Sequence, residues 1–272
     1  MTRKPAPVRV GIGGWTYEPW RGGAFYPPGL PHKRELEFAA QALTAIEVNG
    51  TYYSGFKPAT FAGWRDATPK GFVFTLKASR YCTNRKVLAE AGPSIEKFVS
   101  QGIVELGDRL GPILWQFMAT KKFDADDFGA FLKLLPGSHA GVALRHAVQV
   151  RHESFAVPEF VAMCRDAGVA ICFADSPQYP AIADITADFV YARLERGEDD
   201  NPLCYPDGDI DRWTEAARTW AAGGLPDGLP YVGEPAPQRP RETFIFFIHG
   251  GKVRAPAAAQ AVIAGLGKAE PA

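Results

Sequence analysis

The sequence predicts an α/β protein, a single TIM-like (β/α)8 barrel, and three observations support this prediction. Eight short apolar runs rich in β-branched and aromatic residues recur along the 272 residues. Longer segments with helical character separate most of these runs, which is the pattern of βα units. No linker, internal repeat or low-complexity block divides the chain, and one barrel of ~250 residues would use its length. We therefore predict one barrel domain over residues 1–272, irregular in its loops, with short flexible ends at 1–7 and 268–272.

The eight predicted strands are short, and turn residues follow each of them. In order they read VRVGIGG, AIEVNGT, FVFTLKA, PILWQF, AVQVRH, VAICFAD, FVYARLE and TFIFFIHG. A doubly wound open sheet is the alternative architecture. Its G-x-G-x-x-G fingerprint is absent after the first strand, where the sequence reads GIGGWTYEPW. The barrel is therefore favoured.

The predicted helices lie between the strands and after the last one. They are KRELEFAAQAL, SIEKFVSQGIVELGDRL, DADDFGAFLKLL, PEFVAMCRDAG, DIDRWTEAARTWAAG and an alanine-rich segment up to Gly265. Asp124 is suited to cap the third, Pro158 to begin the fourth and Gly168 to end it. Two long loops remain, an aromatic one after the first strand and a proline-rich one before the last. Loops of this length are usually functional or disordered, and the aromatic one has the composition of a lining segment.

Composition and charge exclude several classes of protein. Thirty basic and thirty acidic residues cancel, so no global field favours nucleic acid or an anionic membrane. No apolar run approaches the ~20 residues that span a bilayer, and the N-terminus lacks the apolar core of a signal peptide. The four cysteines are widely spaced and form no C-x-x-C pair. These features predict a cytoplasmic protein with reduced thiols and no membrane partner. They do not indicate which protein partner, if any, the chain has.

The candidate site consists of the residues at the carboxyl ends of the predicted strands, where barrel enzymes carry their chemistry. Glu47 is the first choice for a general base, and His152 or His249 could transfer a proton near neutral pH. Asp175 is a second candidate base. The candidates for substrate binding are Trp15, Tyr17, Asn49, Tyr52, Lys77, Gln116, Arg151, Arg193 and Glu195.

Each of these residues also has a structural explanation. Glu47 with Arg151 or Arg193 could be a buried ion pair, Lys77 a surface residue and Asp175 a turn cap. No cofactor is predicted, because the P-loop, the nucleophile elbow and the H-E-x-x-H motif are all absent. A divalent metal would have to be assembled across strands, from Glu47, Asp175, Glu195 and a histidine.

Four motifs in this order resemble the YecE-like family, catalogued as domain of unknown function 72. They are E-V-N-G-T-Y-Y from Glu47, F-T-L-K-A from Phe74, L-G-x-x-L-G-P-I-L-W-Q-F from Leu106 and V-R-H-E-S-F from Val150. G-I-G-G-W, F-Y-P and Y-A-R-L fit the same family, so the resemblance covers nearly the whole chain. It implies a TIM-like barrel of bacteria and archaea whose activity is not settled.

The polar pattern of that family falls on positions that the strand ends already single out. They are Glu47, Asn49, Lys77, Gln116, Arg151, His152 and Arg193. The chain departs from the pattern at Asn84, Gln149 and Glu195, where the family often has histidine, glutamate and histidine. It also departs at Ile248 and His249, where paired asparagines are usual. The departures imply a changed substrate, or none.

Three functions are compatible with these residues. The first is a hydrolase or lyase acting on a small anionic substrate, such as a phosphorylated sugar or nucleotide, at the barrel mouth. Arg151 and Arg193 would hold the anion, and Lys77 would stabilise developing charge. The alternatives are a non-catalytic binding or adaptor barrel with a structural polar network, and a nucleic-acid-processing enzyme. The sequence leaves open whether the protein is an enzyme.

Overall fold

Eight parallel strands close into a barrel in the computed structural model, which describes residues 4–206 and 208–267. The order around the barrel is β1-β10-β9-β8-β7-β4-β3-β2, and β5 and β6 form a separate hairpin. The strands are β1 (Val8–Gly13), β2 (Ala45–Val48), β3 (Val73–Lys77), β4 (Leu110–Gln116), β5 (Ser138–His139), β6 (Val142–Ala143), β7 (His146–Gln149), β8 (Ala170–Asp175), β9 (Phe189–Leu194) and β10 (Glu242–Phe247). All eight predicted strands are confirmed as barrel strands.

Alternate residues of each strand face the barrel interior or the helices, because side chains in a strand have a period of two. On β9, Phe189 and Tyr191 belong to the interior cluster, whereas Val190 and Ala192 belong to the larger core outside the barrel. The lower interior is filled by apolar residues. They include Ala45, Val73, Leu114, Ala147, Ala170, Phe189 and Phe244. The polar residues of the interior therefore lie above an apolar layer.

Helices cover the outside of the barrel and pack against the outward faces of the strands. They are α1 (Glu35–Ala42), α2 (Gly50–Tyr53), α3 (Pro58–Asp66), α4 (Arg80–Thr83), α5 (Gly92–Val99), α6 (Ala125–Leu134), α7 (Pro158–Asp166), α8 (Asp209–Ala222) and α9 (Ala255–Gly267). The Asp124 side chain caps α6 by accepting from the Asp127 backbone N–H at 3.0 Å. Pro158 begins α7, and Gly168, with φ +64°, follows its end. These three end signals are confirmed.

One helix prediction is wrong, and the helices α2, α3 and α4 were not predicted. The predicted helix over 94–110 is broken at Gly102, whose φ of +105° ends the first part, so α5 is followed by the 3-10 segment Ile103–Arg109. Helix α3 was not predicted, because Phe61 is its one buried residue and its sequence shows no clear apolar stripe.

The two long loops are packed on the barrel rather than extended from it. In the first loop, Tyr26 Oη donates to the Trp15 carbonyl at 2.6 Å and Trp20 Nε1 donates to the Lys252 carbonyl at 2.8 Å. The second loop is held by Asp184, which lies between β8 and β9. Its carboxylate accepts from the backbone N–H groups of Val232 and Gly233 in that loop, at 2.7 and 2.8 Å. Both loops therefore have defined positions.

The prediction of flexible ends is only partly testable. Residues 1–3 and 268–272 lie outside the described residues. Ala6 N–H, however, donates to the Ala221 carbonyl and the Pro7 carbonyl accepts from Thr243 N–H, both at 3.0 Å. These two residues thus contact α8 and β10 at the base of the barrel, and the flexibility of the ends stays a prediction. Within the described residues, no helix is long and apolar enough to cross a membrane, and all four cysteines are free and buried.

Candidate functional site

The centre of the upper barrel interior is an ion pair between Glu47 and Arg193. Arg193 Nε and Nη2 donate to the two carboxylate oxygens of Glu47 at 3.1 and 3.2 Å. Glu47 is fully buried and Arg193 is 3% exposed. Tyr191 Oη adds a third hydrogen bond to Glu47 at 2.7 Å and lies 2.9 Å from Thr75 Oγ1. Both oxygens of Glu47 therefore have partners within the barrel.

A second carboxylate and two amides complete this arrangement, which we call the buried ion network. Arg193 Nη1 donates to Glu195 Oε1 at 2.5 Å and to Gln149 Oε1 at 2.7 Å. Gln149 Nε2 donates to Glu195 at 3.2 Å, and Gln116 Nε2 donates to Gln149 at 2.6 Å. Burial disfavours the charged guanidinium, but the carboxylates of Glu47 and Glu195 outweigh it and raise the pKa of Arg193. One guanidinium thus serves two carboxylates, and each charged group of the network has a partner of opposite charge.

Lys77 lies at the end of β3 on the same inward face. Its ammonium is 4.2 Å from the centroid of the Tyr52 ring, and Tyr52 Oη accepts from Asn84 Nδ2 at 3.0 Å. Among the described residues, no carboxylate forms a salt bridge with Lys77. Burial, and then the charge of Arg193, lower the pKa of Lys77 to about 8. Lys77 is therefore a poorly solvated cation held by an aromatic ring.

Arg151 is the second unpaired cation of the interior. It lies two residues beyond Gln149, so it continues the inward face of β7. Its guanidinium is 4.4 Å from the centroid of the Tyr179 ring, and its buried Nε has no hydrogen-bond partner in the described part of the chain. Burial lowers the pKa of Arg151. We call Lys77 and Arg151 the rim cations.

Three of the four predicted catalytic residues do not face the interior. Asp175 shares the outward face of Ile171 and Phe173, and it accepts from Arg196 Nε at 2.8 Å. Burial raises the pKa of Asp175 against the effect of Arg196. His152 follows Arg151 and caps a 3-10 turn, because its Nδ1 accepts from Ser154 N–H at 3.1 Å. The neutral ring then carries its proton on Nε2.

His249 also lies away from the centre. It is exposed beyond the end of β10, with φ +59°, and lines a cavity of 320 Å³ with Asn49 and Lys252. The structure thus brings Glu47, Lys77, Gln116, Arg151, Arg193 and Glu195 together in the barrel and leaves His152, Asp175 and His249 at its periphery.

The aromatic residues of the first loop lie beside the mouth. Trp15 packs edge-on against Trp64 at 5.2 Å between ring centroids, and Tyr17 carries the ammonium of Lys252 over its ring at 4.2 Å. Asn49 stands at the end of β2, and its amide makes one long contact of 3.5 Å with the Glu47 carbonyl. Trp15, Tyr17 and Asn49 line a second cavity of 260 Å³.

The residues that could have assembled a metal site are separated. Glu47 and Glu195 are both bound to Arg193, and Asp175 faces the helices. Within residues 4–206 and 208–267, no group of three or more His, Cys, Asp or Glu side chains could hold a metal ion. The predicted set of Glu47, Asp175, Glu195 and a histidine is therefore not brought together.

Several residues of the site were not predicted from the sequence. Tyr191 and Gln149 belong to the buried ion network, and their inward positions follow from counting by two from Arg193 and Arg151. Tyr179 and Lys252 lie in loops, so the strand pattern carries no signal for them.

Comparisons with known proteins support the fold. A family model described as "Protein of unknown function DUF72" matches residues 9–272. A DUF72 family protein from Thermotoga maritima is 21% identical, with a TM-score of 0.68 over 94% of this chain and 97% of that chain. One from Enterococcus faecalis is 15% identical, with a TM-score of 0.70 over 97% and 99%. The structure of SacUVDE is 10% identical, with a TM-score of 0.57 over 95% and 97%. No curated protein matches.

Proposed function

The chain belongs to the DUF72 family, whose function is unknown, and we propose that its barrel mouth binds a small anionic ligand, such as a phosphorylated sugar or nucleotide. We further propose that the protein is an enzyme of the hydrolase or lyase type. One observation carries the proposal: the rim cations Lys77 and Arg151 lie against aromatic rings, and among the described residues neither forms a salt bridge with a carboxylate.

The charge balance of the interior supports an anionic ligand. Two carboxylates, Glu47 and Glu195, both contact Arg193, so Lys77 and Arg151 gain no salt bridge from them. Three cations against two carboxylates leave the mouth with an excess positive charge. Unpaired cations in a low-dielectric cleft focus the field outward and attract anions. A phosphate or carboxylate oxygen at the mouth would supply the acceptor that the buried Nε of Arg151 lacks.

The same geometry suggests which residue would move a proton. Glu47 is enclosed by Arg193 and Tyr191, so a proton could reach it only after those contacts break. Lys77 has a pKa of about 8, close to neutral pH, and lies at the mouth. A general acid works best when its pKa is near the working pH. We therefore assign proton donation to Lys77 and ligand binding to Arg151.

A nucleic-acid-processing enzyme is a second candidate, favoured by one observation. Tyr53 and Tyr81, at the same end of the barrel, are 64% and 61% exposed. The Arg80 guanidinium lies 5.3 Å from the Tyr81 ring centroid. Exposed aromatic rings beside cations are the usual means of binding single-stranded nucleic acid.

The first test is a thermal-melting panel of phosphorylated sugars, nucleotides, their uncharged counterparts and a single-stranded oligonucleotide. A ligand at about a hundred times its Kd should add ~2.7 kcal/mol of stability. We expect shifts with phosphorylated compounds and none with the uncharged ones. Arg151→Gln should abolish the shift, whereas Lys122→Met, which removes an exposed lysine elsewhere, should preserve it.

Three outcomes would contradict the proposal. A wild-type protein without any shift would exclude the anion site, and an unchanged shift in Arg151→Gln would place binding elsewhere. A shift with the oligonucleotide alone would favour the second candidate.

A further inference from the structure

The two cavities beside the mouth adjoin each other, and together we call them the groove. The cavity of 320 Å³ and the cavity of 260 Å³ share three lining residues, Gly13, Asn49 and Lys252. A Cβ atom at Gly13 would lie 2.9 Å from Asn49 Nδ2 and 3.0 Å from Ile248 Cδ1. A larger residue there would therefore displace Asn49 and narrow the groove.

Lys252 provides a third cation without an anionic partner. Its ammonium lies over the Tyr17 ring, and among the described residues it forms no salt bridge. The backbone is fixed at this point, because the Lys252 carbonyl accepts from Trp20 Nε1 at 2.8 Å. The residue is exposed, so its ammonium is accessible to a ligand in the groove.

Asn49 links the groove to the rim cations. In the pairing of β2 with β3, Glu47 lies beside Thr75 and Val48 beside Leu76, so Asn49 comes next to Lys77. Adjacent strands are roughly 4.8 Å apart. Among the described residues, the Asn49 amide makes one contact, of 3.5 Å with the Glu47 carbonyl, which is at the limit of a hydrogen bond. It can therefore bind a ligand that extends from Lys77 into the groove.

We infer that the ligand carries two separated anionic groups, one on the rim cations and the other on Lys252. This inference rests on the proposed function and narrows its substrate class to doubly charged compounds, such as bisphosphorylated ones. Asn49 would bind the polar segment between the two groups, and the rings of Trp15 and Tyr17 would form the wall of the groove. Asn49 adjoins Lys77 in the strand register and lines both cavities together with Lys252, so it is the residue that connects the two cations.

The test is a series of alkane bisphosphonates of increasing linker length, compared with an alkyl monophosphonate by titration calorimetry. We expect one linker length to bind about tenfold more tightly than the monophosphonate, because the second contact becomes intramolecular. In Lys252→Met, the affinity for that bisphosphonate should fall to the affinity for the monophosphonate. The affinity for the monophosphonate itself should not change. Lys122→Met, the same substitution at an exposed lysine outside the groove, should leave both affinities unchanged.

The outcomes separate this inference from the function on which it rests. If the monophosphonate binds through Arg151 but no bisphosphonate binds more tightly, the second site is excluded and the first remains. The second site would also be excluded if, in Lys252→Met, the bisphosphonate still bound more tightly than the monophosphonate. If no phosphonate binds at all, both proposals fail.

Discussion

The buried ion network and the rim cations occupy the same inward face of the barrel, yet their charged groups have different kinds of partner. In the network, Arg193 contacts Glu47, Glu195 and Gln149, and Glu47 also accepts from Tyr191. At the rim, aromatic rings partly compensate for the loss of water, and within the described chain no carboxylate forms a salt bridge with either cation.

This difference distinguishes charged residues that stabilise the fold from charged residues that are available to a ligand. A buried charge with all its partners can be explained by the fold alone, because leaving one partner out would cost several kcal/mol. A poorly solvated cation without a salt bridge is a cost that folding does not explain. We therefore place the proposed ligand site at Lys77 and Arg151.

The largest expected effect is that of Arg193→Leu on stability. The substitution leaves Glu47 and Glu195 buried without their counter-charge, and we expect a loss of ~3–5 kcal/mol in the free energy of unfolding. Urea denaturation measures this loss. Arg151→Leu, which removes an arginine with no carboxylate partner, should cost less than about 1 kcal/mol. Equal losses in the two variants would remove the distinction between network and rim.

The second largest expected effect is a dependence of the free energy of unfolding on pH, which Lys77 causes. Its pKa is about 8 in the folded protein and 10.5 in an ordinary lysine. Between these values the unfolded chain binds more protons, so the stability contributed by this residue rises with pH. Relative to Lys77→Met, the wild type should gain up to about 3 kcal/mol from pH 8 to pH 10.5.

Urea denaturation of both proteins across this range measures that gain, and parallel pH profiles would show that Lys77 is ordinarily solvated. Anion affinity should move the other way, falling above pH 8 as the ammonium loses its proton. In Lys77→Arg, which keeps its charge, that fall should disappear.

The strands, and the end of the barrel at which the polar residues lie, could be predicted from the sequence. Which of these residues face the interior could also have been predicted, because the strand period of two puts Arg151 and Arg193 inside. The same count puts His152 and Asp175 outside. The strand ends therefore carry two groups of polar residues, one on each face of the barrel wall, and only the inward group meets in the interior.

The partners of the rim cations could not be predicted. Tyr179, the partner of Arg151, belongs to a loop between strands, and a loop carries no periodic signal for the direction of its side chains. The helical turn Gly50–Tyr53 brings Tyr52 over Lys77, although the two are distant in sequence. Such contacts depend on the path of the chain over the barrel.

The smallest expected effect compares two tyrosine hydroxyls, one in the network and one at the rim. Tyr191→Phe removes the donor to Glu47 and leaves the buried Thr75 hydroxyl without this partner. The loss should be about 1–2 kcal/mol, because a buried polar group without its partner keeps its desolvation cost. Tyr52→Phe removes only a bond from the exposed Asn84 and keeps the ring over Lys77, so its effect should stay within about 0.5 kcal/mol.

Neither variant should lose anion affinity, because both leave the rim cations and their rings in place. A loss of affinity in Tyr191→Phe would mean that the network also controls the mouth.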